Sequence, residues 1–158
     1  MTEDQETKSL IPTKWIAENY PFLESASIAF CVISFLLKVF DVDGWAMAVV
    51  ISYTFYAMLT YLGAFLPRPS SHLFITALCK ISYIATAVGV VGLCFALVGF
   101  PGAKNILVIG AATMALSAVL LFLISLPAKH NTPVKIILRS LIISIFAAAY
   151  LLYAPALL

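Results

Sequence analysis

Residues 73–125 read LFITALCKISYIATAVGVVGLCFALVGFPGAKNILVIGAATMALSAVLLFLIS. Two long apolar runs flank Gly99-Phe100-Pro101-Gly102, and Lys80 and Lys104 are the charged residues of the whole stretch. A helix rises about 1.5 Å per residue, so roughly 20 apolar residues cross the hydrocarbon core of a bilayer. Each run is long enough to cross, and the Gly/Pro segment between them supplies a turn. The stretch reads as a transmembrane helical hairpin.

The same pattern extends outward in both directions. The spacing predicts spans at about 22–40, 45–66, 72–98, 105–126 and 133–153. Asp41-Val42-Asp43-Gly44 is a tight turn, because Asp and Gly supply the dihedrals it needs. Pro67-Arg68-Pro69-Ser70-Ser71 breaks any helix, as does Pro127, and Pro133 stands where a helix can begin. Setting Gly44 on Gly102 aligns the two hairpins at an offset of 58 residues. The expected fold is therefore an all-α integral membrane protein with five transmembrane helices, two similar hairpins plus one C-terminal helix. Residues 1–9 read as a disordered polar tail. In LIPTKWIAENY, residues 10–20, Leu10, Ile11, Trp15, Ile16 and Tyr20 share one side, opposite Lys14, Glu18 and Asn19. Bracketed by Pro12 and Pro21, that stretch reads as a short interfacial helix, or else an irregular linker. Residues 1–21 are thus tail and amphipathic arm, and 22–158 a single membrane domain.

Composition agrees. The chain of 158 residues is 63% hydrophobic and 10% charged, with a mean hydropathy of +1.09, whereas soluble domains are about a quarter charged. This excludes a cytosolic enzyme and a nucleic-acid-binding domain. The opening MTEDQETKSL has no basic segment before the first apolar run, so the first span is expected as an uncleaved anchor. Cys31, Cys79 and Cys94 are scattered in apolar spans and read as packing residues. His72 and His130 have no second ligand at metal spacing. No cofactor and no metal are expected.

Charge is distributed unevenly. All seven acids, Glu3, Asp4, Glu6, Glu18, Glu24, Asp41 and Asp43, precede position 44. Beyond it there is no carboxylate to pair for acid/base catalysis or to relay protons at mid-membrane. Lys8, Lys14, Arg68, Lys129 and Lys135 fall on one side of the membrane, with Lys80 and Arg139 about two turns inside it; Lys38 and Lys104 fall on the other. The positive-inside rule then puts the N-terminus in the cytoplasm and the C-terminus outside.

Ionisable residues inside spans are the default functional candidates. Glu24, Lys80 and Arg139 lie at similar depth, which suggests an intramembrane ion cluster or a pocket for an anionic lipid headgroup. Snorkelling of each long cation to the interface is the simpler alternative. Small residues recur at helix-packing spacing: Gly89 and Gly92, Ala111 and Ala115, then Ser144 and Ala148. Ser27, Cys31, Ser34 and Lys38 form a polar face, as do Tyr53, Tyr56 and Thr60 on the second span and Thr76, Lys80, Tyr83 and Thr86 on the third. Such stripes line a pore or bond helix to helix.

One stretch resembles a known family. Residues 99–123, GFPGAKNILVIGAATMALSAVLLFL, look like the Gly-turned hairpin of the membrane subunit of the Bacteroidota gliding and type 9 secretion motor. Its Pro-Gly-Ala turn and later glycine map to Pro101, Gly102, Ala103 and Gly110. The resemblance implies a place in, or ancestry shared with, a proton-driven motor complex, and a bacterial origin. The chain departs from that family in having five spans rather than two, no carboxylate in the fourth span and no cytoplasmic tail. No functional residue is carried over.

These readings point to a non-enzymatic accessory or scaffold subunit in a bacterial inner membrane, whose partners are membrane lipids and other integral membrane subunits. The competing class is a small oligomeric transporter or channel using the polar faces of spans one to three. Reporter fusions at residues 69, 103, 130 and 158 are expected to read inside, outside, inside and outside. A cytoplasmic reading at 158 would leave an even number of spans and refute the topology.

Overall fold

A bilayer offers no water to backbone amides, so a spanning chain must close its own hydrogen bonds. The computed structural model does so with five α-helices: α1 (Glu3–Val39), α2 (Trp45–Gly63), α3 (Leu73–Val98), α4 (Ala103–Ser125) and α5 (Val134–Tyr153). All five are long and apolar enough to cross a membrane. The chain is an all-α integral membrane protein. The structure describes residues 3–66, 73–125 and 134–153, and side chains over 15–66, 73–124 and 134–152. Arg68, His72, Pro127, Lys129, His130 and Pro133 lie outside the described residues, as do the side chains of Lys8 and Lys14.

The N-terminus departs from the sequence expectation. In place of a disordered tail and a separate interfacial helix, residues 3–39 form one helix. Pro21 lacks an amide hydrogen and leaves the Ala17 carbonyl without its helical donor. Ending the helix there would expose several backbone groups; continuing it leaves one. Asn19 Nδ2 donates to the Trp15 carbonyl and Ser25 Oγ to the Pro21 carbonyl, each at 2.9 Å. Neither bond reaches the Ala17 carbonyl; each adds a second donor to a neighbouring carbonyl of the same helix.

The two hairpin turns are the same backbone structure at the offset of 58. Asp41 (φ 48°) matches Gly99 (φ 83°), and Gly44 (φ 84°) matches Gly102 (φ 83°). The left-handed region is open to glycine and tolerated by Asp, which explains both turn sequences. Val42 N donates to Leu37 O as Phe100 N does to Phe95 O, and Trp45 N to Val42 O as Ala103 N does to Phe100 O. Gly44 O accepts from Met47 N and Ala48 N, as Gly102 O does from Asn105 N and Ile106 N.

The correspondence continues into the packing. Val49 and Leu107, also 58 apart, are fully buried. Ser34 and Ser52 share a hydrogen bond of 2.7 Å where α1 meets α2. Their counterparts are Gly92 and Gly110, where α3 meets α4. There the backbones touch: a Cβ on Gly92 would lie 2.9 Å from Leu107 Cα, and one on Gly110 would lie 2.6 Å from Gly89 Cα. Close approach of this kind drives helix association where lipid provides no hydrophobic force.

α3 is the central helix, most of it buried, whereas α1 and α5 are mainly exposed. α4 meets it along Leu107, Ala111, Met114, Ala118 and Leu121, and Ala115 is half-buried beside that seam. On α5 the packed face is Ser140, Ser144 and Ala147, and Ser144 Oγ donates to Ala111 O at 3.2 Å. Ala148, expected on that face, is exposed. From Ser144 both the i+3 and i+4 positions are neighbours, and the crossing selects Ala147.

Candidate functional site

A guanidinium in a membrane needs a counter-charge or a route to water. Arg139 has the first. On α1, Tyr20 and Glu24 are one turn apart and project from one face. On α5, Lys135 and Arg139 bear the same relation. Arg139 Nη1 donates to Glu24 Oε1, with the two side chains 10% and 22% exposed. The guanidinium carbon sits 3.9 Å from the centre of the Tyr83 ring, and Tyr83 packs against Tyr20 at 6.1 Å between ring centres. One side chain of α5 thus joins α1 and α3 through an ion pair and a cation–π contact.

Sequence depth alone grouped Lys80 with this pair; the fold separates it. α3 turns Leu78, Cys79, Ser82 and Tyr83 inward, leaving Lys80 exposed together with Ile81 and Ile84. The headgroup-or-ion-cluster candidate therefore reduces to Glu24 and Arg139. Tyr83, read only as a polar-stripe residue, forms part of their surroundings.

The hydrogen bonding around Arg139 is incomplete. Its Nε and Nη2, and the hydroxyls of Tyr20 and Tyr56, are buried with no hydrogen-bond partner among the described residues. A buried polar group left without a partner typically costs about 1–3 kcal/mol. Below the ion pair, α1 and α5 separate, with Phe35 and Phe146 meeting edge-to-face at 5.8 Å farther along. Between them runs a cleft of about 600 Å³ lined almost wholly by apolar side chains, with Tyr53 and Tyr56 of α2 and Val90 and Leu93 of α3 as its buried floor.

The opposite membrane face has its own polar ties. Lys38 Nζ donates to the Leu97 carbonyl in the last turn of α3 and lies 5.0 Å over the Trp45 ring. A cation is favoured there by the negative end of the helix. Tyr150 donates to the Ala96 carbonyl at 2.7 Å. Cys31, Cys79 and Cys94 are buried in helix seams. Among the described residues no group of three His, Cys, Asp or Glu converges.

No family model matches the chain, and no curated protein or solved structure matches it.

Glu24→Gln leaves the Arg139 charge without its counter-ion. Breaking a buried pair in this way is expected to cost about 3–5 kcal/mol, seen as a lower melting temperature in mild detergent. Lys80→Gln, at an exposed position, is expected to stay within about 0.5 kcal/mol of the parent. Equal effects of the two substitutions would show that Arg139 does not depend on Glu24.

Proposed function

We propose that this chain is a non-enzymatic integral membrane subunit, an accessory or scaffold protein whose helices pack against a larger membrane complex. The observation that carries the reading is the destination of its hydroxyl side chains. A transport path needs polar stripes that face water. Here Ser34 bonds Ser52, and Ser82 bonds Ser140 at 2.8 Å across α3 and α5. Ser27, Thr60 and Thr86 donate to carbonyls of their own helices. Of the stripes on α1 to α3 that offered a transporter or channel reading, Ser34, Lys38 and Tyr83 contact other helices, and Ser27, Thr60 and Thr86 are bonded within their own.

Chemistry favours the same reading. No carboxylate follows Asp43 in the sequence, and Glu24 is engaged by Arg139. The outer faces of α1 and α5 carry large exposed apolar side chains, among them Phe30, Ile33, Ile142 and Ile145. Lipid tails and partner helices both suit such faces. The resemblance of residues 99–123 to a motor subunit hairpin is compatible with an accessory place in a complex. The placement of basic residues supports a cytoplasmic N-terminus, and the resemblance of residues 99–123 supports a bacterial inner membrane.

The test is photo-crosslinking in native membranes from Phe30 and Ile145, followed by purification in mild detergent. A subunit is expected to yield adducts of one defined mass and a complex of fixed stoichiometry. In liposomes the isolated chain is expected to pass no protons above empty vesicles. Recovery as a homo-oligomer that conducts would overturn the reading in favour of the channel.

A further inference from the structure

We propose that the cleft between α1 and α5 binds one anionic phospholipid, its phosphate held by Arg139, Tyr56 and Lys135 and an acyl chain laid along the apolar floor. The assignment holds whether the chain acts alone or in a complex.

Shape comes first. At about 600 Å³ the cleft is in the range of sites that hold a small amphiphile. Its floor is buried, whereas its rims, Ile28 and Val32 on α1 and Leu138 and Ile142 on α5, are exposed. It therefore opens sideways, toward lipid rather than toward water. Away from Cys31, Tyr53, Tyr56, Lys135 and Arg139 the lining is aliphatic or aromatic hydrocarbon, as an acyl chain requires.

Chemistry is concentrated at one end. Lys135 and Arg139 both line the cleft and follow one another on the same face of α5. Glu24 balances one of these two positive charges, so the end of the cleft keeps a net positive charge that suits a monoanionic headgroup. Arg139 Nη1 is engaged by Glu24, but Nε and Nη2 are buried without a partner among the described residues. Those two nitrogens form one edge of the planar guanidinium. Such an edge presents two parallel donors, matched to two oxygens of a phosphate. Tyr56, 5% exposed, lines the same cleft, and its hydroxyl also lacks a partner among the described residues. Three buried donors without a partner among the described residues, on side chains that line a lipid-facing apolar cleft, and one exposed lysine beside them are complementary to a phosphate with a hydrocarbon tail. In the orientation expected from the basic residues this end faces the cytoplasmic leaflet, where anionic lipids attract cations.

Native mass spectrometry of the full chain in mild detergent tests the assignment. The chain is titrated with dioleoyl phosphatidylglycerol and, separately, dioleoyl phosphatidylcholine. The expected result is one phosphatidylglycerol per chain with about a tenfold preference over phosphatidylcholine. Lys135→Gln, at an exposed position, is expected to remove most of that preference. Tyr56→Phe, which keeps the ring, is expected to weaken binding several-fold. Ile142→Trp, on the exposed rim, is expected to block the cleft and abolish uptake while the melting temperature stays near that of the parent. Inorganic phosphate at millimolar level is expected not to displace the lipid. Equal uptake of both lipids, indifference to Lys135→Gln and Ile142→Trp together, full displacement by inorganic phosphate, or a dimer that excludes lipid would each overturn the proposal.

Discussion

Arg139 is the residue the rest of the bundle must accommodate. Its charge lies inside an apolar assembly, and moving an ion out of water is costly unless a partner and hydrogen bonds compensate. Glu24 supplies the opposite charge and Tyr83 an aromatic face. Its ion pair and ring contact therefore tie α5 to α1 and to α3 at a single level. At the other membrane face Lys38 and Tyr150 bind the carbonyls of Leu97 and Ala96 at the end of α3. The central helix is thus tied at both ends by polar contacts from the flanking helices. Between those levels small residues hold the helices together.

The five spans were legible because charge is scarce and turn residues are concentrated. Gly44 and Gly102 mark the hairpins in sequence, and their positive φ angles show why glycine stands there. The offset of 58, first a matter of composition, recurs in backbone hydrogen bonds and in the full burial of both Val49 and Leu107. What was not legible concerns rotation and context. Depth along a helix can be counted, so Glu24, Lys80 and Arg139 were grouped. Angular position depends on which neighbour a helix packs against, and α3 turns Lys80 outward. The same uncertainty of a few tens of degrees exchanged Ala147 for Ala148. Pro21 signals a break in water, yet the chain continues as helix through it, with Ser25 bonded to its carbonyl.

The proposed site combines features that were separate in the sequence. Lys135 read as a cation contributing to topology, Tyr56 as one residue of a polar stripe, and Arg139 as a member of an ion cluster or headgroup pocket with Glu24 and Lys80. Helix crossing brings them to one cleft. A buried ion pair is weak support for stability in itself, because desolvation offsets much of the attraction. Retaining one beside unengaged donors makes more sense if the arginine also serves a ligand. In that account Glu24 has two effects: it lets Arg139 reside at this depth, and it leaves the Nε and Nη2 edge available.

The central claim is that Glu24 and Arg139 are energetically coupled at membrane depth. A double-mutant cycle in detergent, using Glu24→Gln, Arg139→Met and the pair together, measures that coupling directly. The account predicts that adding Arg139→Met to Glu24→Gln recovers stability, since the stranded charge is removed, with a coupling of at least about 1 kcal/mol. Strictly additive losses from the two substitutions would show that the charges do not sense each other, and would contradict it.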